Sequence, residues 1–196
     1  MRRIGLIVVT LALGSLLAGS GGAGPWRAHN IDGLMPDLKF TLADADGRTV
    51  TAADYAGKVK LLYFGYAHCA DICPETLAVL ARALQQLGDK AEGARALFVS
   101  VDPRRDTPAV LKGFAARFSA PELVGLTGTD DELQALSKRY RVAYRFGDPD
   151  VDGNYEVYHS SAIFAFDRQG RVRLLFDRAE GADAIAADVA RLLSEP

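Results

Sequence analysis

The sequence is poor in the residues that hold metals and cross-links. Its 196 residues include two cysteines and three histidines. A structural zinc site normally takes four protein ligands, and a fourth is not evident here. The blue-copper pattern of two histidines with one cysteine is also unmet. Only three residues separate Cys69 from Cys73. A structural disulfide across so small a loop removes little chain entropy from the unfolded state. Charge of one sign is lacking as well. The 23 Lys and Arg stand against 25 Asp and Glu, which leaves none of the basic surplus of a phosphate-backbone binder. Repeats, low-complexity tracts and signs of a second domain are absent. A chain that is 49% hydrophobic and 24% charged fits one globular domain with a sizeable core.

The N-terminus reads separately from the rest. Met1-Arg2-Arg3 precedes an uncharged run over residues 4–20, the basic n-region and apolar h-region of an export signal. The run is short for a spanning helix, which usually needs about 20 apolar residues. Ala18-Gly19-Ser20 offers small residues for a signal peptidase, while Ser20 stands where a lipoprotein signal would need its cysteine. A Gly-rich linker over residues 19–25 detaches this run from the remainder of the chain. The expected organisation is a signal peptide or N-terminal membrane anchor with linker over residues 1–24 and a folded domain over residues 25–196. The thiols then lie outside the cytoplasm.

Within the domain, residues 37–42 alternate apolar and polar, residues 44–47 are turn chemistry and residues 49–50 resume the pattern, which predicts an edge hairpin. A short helix over 52–55 ends at Gly57. Residues 59–64, with flanking lysines, are a nearly continuous apolar run, as in a central strand buried on both faces. A helical stripe over 74–87, a second buried strand over 95–101, and a helix from Thr107-Pro108 through residue 118 come next. Strand, helix, strand, helix is the signature of a parallel α/β unit. Thr129 to Glu132 has capping-box spacing for a helix to about residue 140. Residues 141–146, 155–158, 162–166 and 172–176 read as extended, and residues 183–193 as a closing helix. The acidic turn over 148–154 lacks the ligand spacing and closing glutamate of an EF-hand.

Both cysteines sit at the exit of the first buried strand, and the rest of the chain reads as support for them. Pro74 suits the first position of a helix, which puts Cys73 at the cap. Unpaired amides and the helix dipole there favour thiolate over thiol. On a helical turn, residues i and i+4 have Cβ atoms about 5–6 Å apart, which suits two sulfurs gripping one ion. A disulfide needs about 3.5–4.5 Å and hence an irregular turn, which Ala70 and Asp71 make plausible. Of the histidines, His68 is beside Cys69 and poorly placed to face the same ion, and His29 precedes the domain. His159, at a strand junction, is the attractive third ligand, although spacing alone favours reading any one histidine as a surface or hydrogen-bonded core residue. Two thiolates with one imidazole would be a soft, low-coordination set suited to Cu(I).

Three segments together resemble the Sco/SenC family of thioredoxin-fold copper chaperones. They are Phe64-Gly65-Tyr66-Ala67-His68-Cys69-Ala70-Asp71-Ile72-Cys73-Pro74, Val101-Asp102-Pro103-Arg104-Arg105-Asp106-Thr107-Pro108 and Tyr158-His159-Ser160-Ser161, and the resemblance runs from about Pro36 to the C-terminus. It implies an α/β, thioredoxin-like fold, which the strand and helix order fits, with the N-terminal hairpin as an extension. It also implies one copper ion, Cu(I) or Cu(II), bound by Cys69, Cys73 and His159. The implied role is delivery of copper to the CuA site of cytochrome c oxidase subunit II, or reduction of that site's thiols, from a tethered position outside the cytoplasm. Two positions depart from the family pattern. Ala70 replaces a frequent proline and leaves the loop freer. Tyr158 replaces an aspartate and removes a negative charge beside the histidine, a change that bears on Cu(II) binding or partner docking. Arg104 and Arg105 suit docking of an acidic partner or a merely solvated loop.

Other readings use the same thiols. A thiol–disulfide oxidoreductase needs Cys69 and Cys73 as a redox-active pair without His159, but the spacing is wider than the usual C-x2-C and no proline stands near His159. A copper or redox sensor needs the same reversible binding. Ile72-Cys73-Pro74-Glu75 is similar to peroxiredoxins, whose upstream Pro and Thr fall here on Tyr66 and Ala70, so the hydroxyl that would orient peroxide is missing.

Overall fold

Seven consecutive buried residues, Val59–Gly65, form the strand around which the sheet is built. The computed structural model describes residues 24–177 and 179–196. Nearly all of the leader expected over residues 1–24 therefore lies outside the described residues. In chain order the strands are β1 (His29–Asn30), β2 (Thr41–Asp44), β3 (Thr49–Thr51), β4 (Val59–Gly65), β5 (Ala94–Ser100), β6 (Leu123–Thr127), β7 (Tyr144–Phe146), β8 (Val157–His159), β9 (Ile163–Phe166) and β10 (Val172–Phe176). The helices are α1 (Ile72–Gln86), α2 (Pro108–Ala116), α3 (Asp130–Arg139) and α4 (Ala182–Ser194), with 3-10 turns at Ala52–Tyr55 and Gly88–Gly93.

Eight strands make one sheet in the order β1-β10-β9-β4-β5-β6-β2-β3, and β7 and β8 form a separate ribbon. β4, β5 and β6 run parallel, whereas β9 lies antiparallel to β4. This mixed α/β arrangement is the expected thioredoxin-like fold. The hairpin of β2 and β3 extends it at the β6 edge, with Leu42 opposite Val50. Its turn closes because Asp44 accepts the N–H groups of Asp46 and Arg48 at 2.9 Å each, and Gly47 takes φ +77°.

Side-chain alternation along β4 divides the core. Tyr63 stacks on Phe98, which meets Phe114 of α2, so this face lies under α1 and α2. Helices α1 and α4 pack together. The opposite face carries Leu62 and Lys60, paired with Phe164 and Phe166 of β9. Both phenylalanines meet Tyr140, just beyond α3. The stripe Leu77, Leu80, Ala81 and Leu84 buries α1. Truncating Leu77 to alanine costs about 2–5 kcal/mol at such a site.

Several boundaries differ from expectation. Helix α1 begins at Ile72, so Cys73 and Pro74 both lie inside the first turn. Pro74 is tolerated because the first four helical N–H groups have no partner within the helix. The capping box of α3 forms as expected, with Thr129 accepting from the Glu132 N–H. The strand after it starts only at Tyr144, because Arg141 adopts φ +55° and breaks the extended run. Lys60 does not flank its strand but is buried within it, and its Nζ donates to the Asp167 carbonyl at 2.6 Å. Among the described residues, no helix is long and apolar enough to cross a membrane.

Candidate metal centre

The chain leaves β4 at Gly65 and turns through residues 66–71 into α1, which sets Cys69 at the surface end and Cys73 in the interior. Cys73 is fully buried and Cys69 half-buried, and both are free thiols. Gly65 makes this approach possible, since a Cβ there would lie 2.8 Å from both Cys73 Sγ and Phe98 Cε2. The Tyr63 hydroxyl donates to Cys73 Sγ at 3.7 Å. The Cys73 N–H, one of the unpaired helix donors, points at Cys69 Sγ at 3.4 Å.

His159, the last residue of β8, completes the pocket. Its Nδ1 lies 2.9 Å from the Ser160 carbonyl and its Nε2 3.2 Å from Cys73 Sγ. A carbonyl only accepts, so Nδ1 carries the proton and Nε2 presents a lone pair to the Cys73 thiol. Burial pushes the Cys73 thiol up to about 12 and holds His159 below its ordinary value. Both directions describe a neutral S–H···N pair. The expectation that the helix terminus makes Cys73 a thiolate is therefore corrected. Desolvation outweighs the dipole in the metal-free chain, and the helix amide is aimed at the other sulfur.

His159 is held by contacts that sequence spacing does not reveal. In the β7–β8 ribbon Tyr144 pairs with His159. The Tyr63 and Tyr66 rings meet the imidazole at 6.0 Å each. Tyr66 donates to Glu156 at 2.5 Å and so ties the strand exit to the ribbon. Arg105 lies 3.7 Å from the Tyr155 ring centroid and bonds Asp102 at 2.5 Å. The expectation of Arg105 docking an acidic partner gives way to an internal clamp, while Arg104 stands over Phe146 at 5.8 Å. The acidic turn spends Asp150 on the N–H groups of Asp152 and Asn154, at 2.9 and 2.8 Å. Tyr158, the departure beside the histidine, is exposed under Arg145.

The structure thus brings Cys73 and His159 into contact and leaves Cys69 beside them. The three donor atoms do not all lie within 4.8 Å of one another; among the described residues, only His29, Asp177 and Glu180 form such a trio. That trio is on the surface. Its carboxylates are committed to a turn, since Asp177 accepts the Ala179 N–H at 2.6 Å and Glu180 the Asp177 N–H at 2.7 Å. Donors around an ion at about 2.0–2.3 Å stand roughly 3.5–4 Å apart. The Cys73–His159 pair, at 3.2 Å, is a few tenths of an ångström inside that spacing, and for all three to meet on one ion Cys69, on the irregular turn before α1, would have to swing. His68 is not one of these three, and its Nδ1 lies 2.9 Å from Asp106.

The thioredoxin-like fold sets a buried cysteine against an imidazole with a second thiol nearer the surface, a donor set whose chemistry suits soft metals or thiol exchange. The sequence profile of the SCO1/SenC family matches residues 34–194, and the chain belongs to that family. The mitochondrial SCO2 homolog of Bos taurus is 40% identical over 156 residues, covering 78% of this chain and 58% of its own. The chain spans about half the length of the curated relatives it matches. ScoI of Bradyrhizobium japonicum, solved with copper bound, is 38% identical at a TM-score of 0.74, covering 80% of this chain and 99% of that one. BsSco, described as a member of the Sco family of cytochrome c oxidase assembly proteins with a disulfide switch, is 26% identical at a TM-score of 0.66, covering 86% and 98%.

Proposed function

We propose that this protein is a copper metallochaperone that carries one copper ion on Cys69, Cys73 and His159 and delivers it to the CuA site of cytochrome c oxidase subunit II. The observation that carries this reading is the 3.2 Å approach of His159 Nε2 to Cys73 Sγ with Nδ1 already committed to Ser160. Family membership and copper-bound ScoI support the choice of metal. Loading displaces the thiol protons, because thiolates and a neutral imidazole are the ligating forms. Three donors leave room for an incoming ligand, so copper passes by exchange with a partner. Residues 1–24 export the domain or tether it to the extracytoplasmic face of the membrane.

The test is Cu(I) affinity of the reduced protein by competition with a chromogenic chelator, for wild type and His159→Ala. Tight one-to-one binding that weakens by more than about tenfold, roughly 1.4 kcal/mol, on losing His159 supports the chaperone site. Weak binding, or indifference to His159, leaves the two thiols as a disulfide reductase. Mixing the loaded protein with a CuA-bearing fragment then separates delivery from sensing, since a sensor keeps its copper.

A further inference from the structure

His68 has the surroundings of a metal ligand without being one of the three donors. Its Nδ1 is 2.9 Å from Asp106 Oδ1, and Asp106 is fully buried, also accepting the Ala67 N–H and the Ser100 hydroxyl at 2.6 Å each. Metal-binding histidines usually donate their second ring N–H to such a carboxylate, which fixes the tautomer and the ring. A carboxylate accepts, so in the neutral imidazole the bare lone pair is on Nε2. Nε2 has no partner among the described residues, and the side chain is 46% exposed. It lines a shallow groove with Arg105, Tyr155, Glu156 and Tyr158, on the ribbon side of the site.

Exposure falls in order from His68 to half-buried Cys69 to buried Cys73. Of the three, His68 is the side chain most open to an ion arriving from solvent. We propose that His68 is a staging ligand, whose Nε2 takes Cu(I) at the mouth, hands it to Cys69, and receives it again on release. The step is ligand exchange. A Cu–N bond to His68 forms as a bond to the small thiol or chelator that brought the metal breaks. That Cu–N bond then breaks as a Cu–S bond to Cys69 forms, with the thiol proton going to solvent. Copper stays Cu(I) throughout.

This inference rests on the copper-chaperone reading, and the experiment separates the two. Loading from a Cu(I)–chelator complex and unloading to excess chelator are followed by stopped flow, beside equilibrium affinity and melting of the metal-free protein. His68→Gln keeps an N–H donor for Asp106 but offers no comparable copper ligand, whereas His68→Met offers a soft thioether. Expected are loading and unloading slowed about tenfold in His68→Gln, the scale of one lost contact at the transfer barrier, equilibrium affinity within about twofold, and recovery of rate in His68→Met. Wild-type rates in His68→Gln overturn the proposal. So do rates equally low in both variants alongside a lowered melting temperature, which would make His68 a strut for Asp106. If wild type itself fails to bind Cu(I), the chaperone reading falls first.

Discussion

The guanidinium of Arg105 lies 3.7 Å from the centroid of the Tyr155 ring, and both residues reach the same buried carboxylate, Asp102. Arg105 Nε bonds one oxygen at 2.5 Å, and the Tyr155 hydroxyl donates to the other at 2.9 Å. The loop after β5 thereby grips the ribbon that carries His159. Tyr155→Phe keeps the ring against Arg105 and removes one bond to a buried charge, a loss of about 1.5–3 kcal/mol. Arg105→Ala should cost more, since it also leaves Asp102 without its cation. Urea unfolding measures both. An Arg105→Ala loss no larger than that of the exposed Arg82→Ala would remove the clamp from this account.

The two thiols should differ sharply in reactivity. Cys73 is buried, hydrogen-bonded to His159 and Tyr63, and pushed up to about 12, while Cys69 is half-buried on the turn. Since the thiolate is the nucleophile, iodoacetamide at neutral pH should add once to the folded, reduced, metal-free protein, at Cys69. Addition at Cys73 should require unfolding. Peptide mapping reads the position, and equal labelling of the two would contradict the neutral S–H···N pair.

What the sequence disclosed was local. The apolar run of β4, the Asp44–Gly47 turn and the Thr129 capping box act within a few residues, and periodicity carries them. His159 stood out because it sits at a strand junction in a segment that resembles a family motif. The hidden features depend on residues far apart in the chain. The Ala67 contact of Asp106, the pairing of β1 with β10 and the grip of Arg105 on Tyr155 have no local signature. Lys60 was misread because a lysine beside an apolar run normally lies at its border. Gly65 left the one readable trace, as a glycine ending a buried strand marks a close approach.

Lys60 makes stability rise with pH in one window. Burial lowers its value to about 8 from 10.5, against an opposing pull from the Asp167 charge. Below about 8 both folded and unfolded chains hold the proton, and the full cost of the buried ammonium is present. Between about 8 and 10.5 the unfolded chain holds a proton that the folded chain has released, so folding gains with pH. Wild type should therefore gain on Lys60→Met by about 3 kcal/mol between neutral pH and the upper end of that window. Paired urea titrations across the window test this, and a constant gap would mean that Lys60 titrates as an exposed lysine does.

Gly65 offers the sharpest contrast with a glycine of no importance to the site. Its added Cβ would stand 2.8 Å from Cys73 Sγ and from Phe98 Cε2, whereas at Gly113, in α2, nothing lies within 4 Å. Phe98 is wedged between Tyr63 and Phe114 and cannot easily give way. The strain of Gly65→Ala falls on Cys73, which must move relative to His159. Overpacking of this kind costs about 1–3 kcal/mol. If Cys73 is a copper ligand as proposed, displacing its sulfur should lower Cu(I) affinity by about tenfold or more, upwards of 1.4 kcal/mol. Gly113→Ala should instead stabilise the helix by up to about 1 kcal/mol and leave copper binding unchanged. If both variants bind copper like wild type, Cys73 has freedom that the packing around Gly65 denies it.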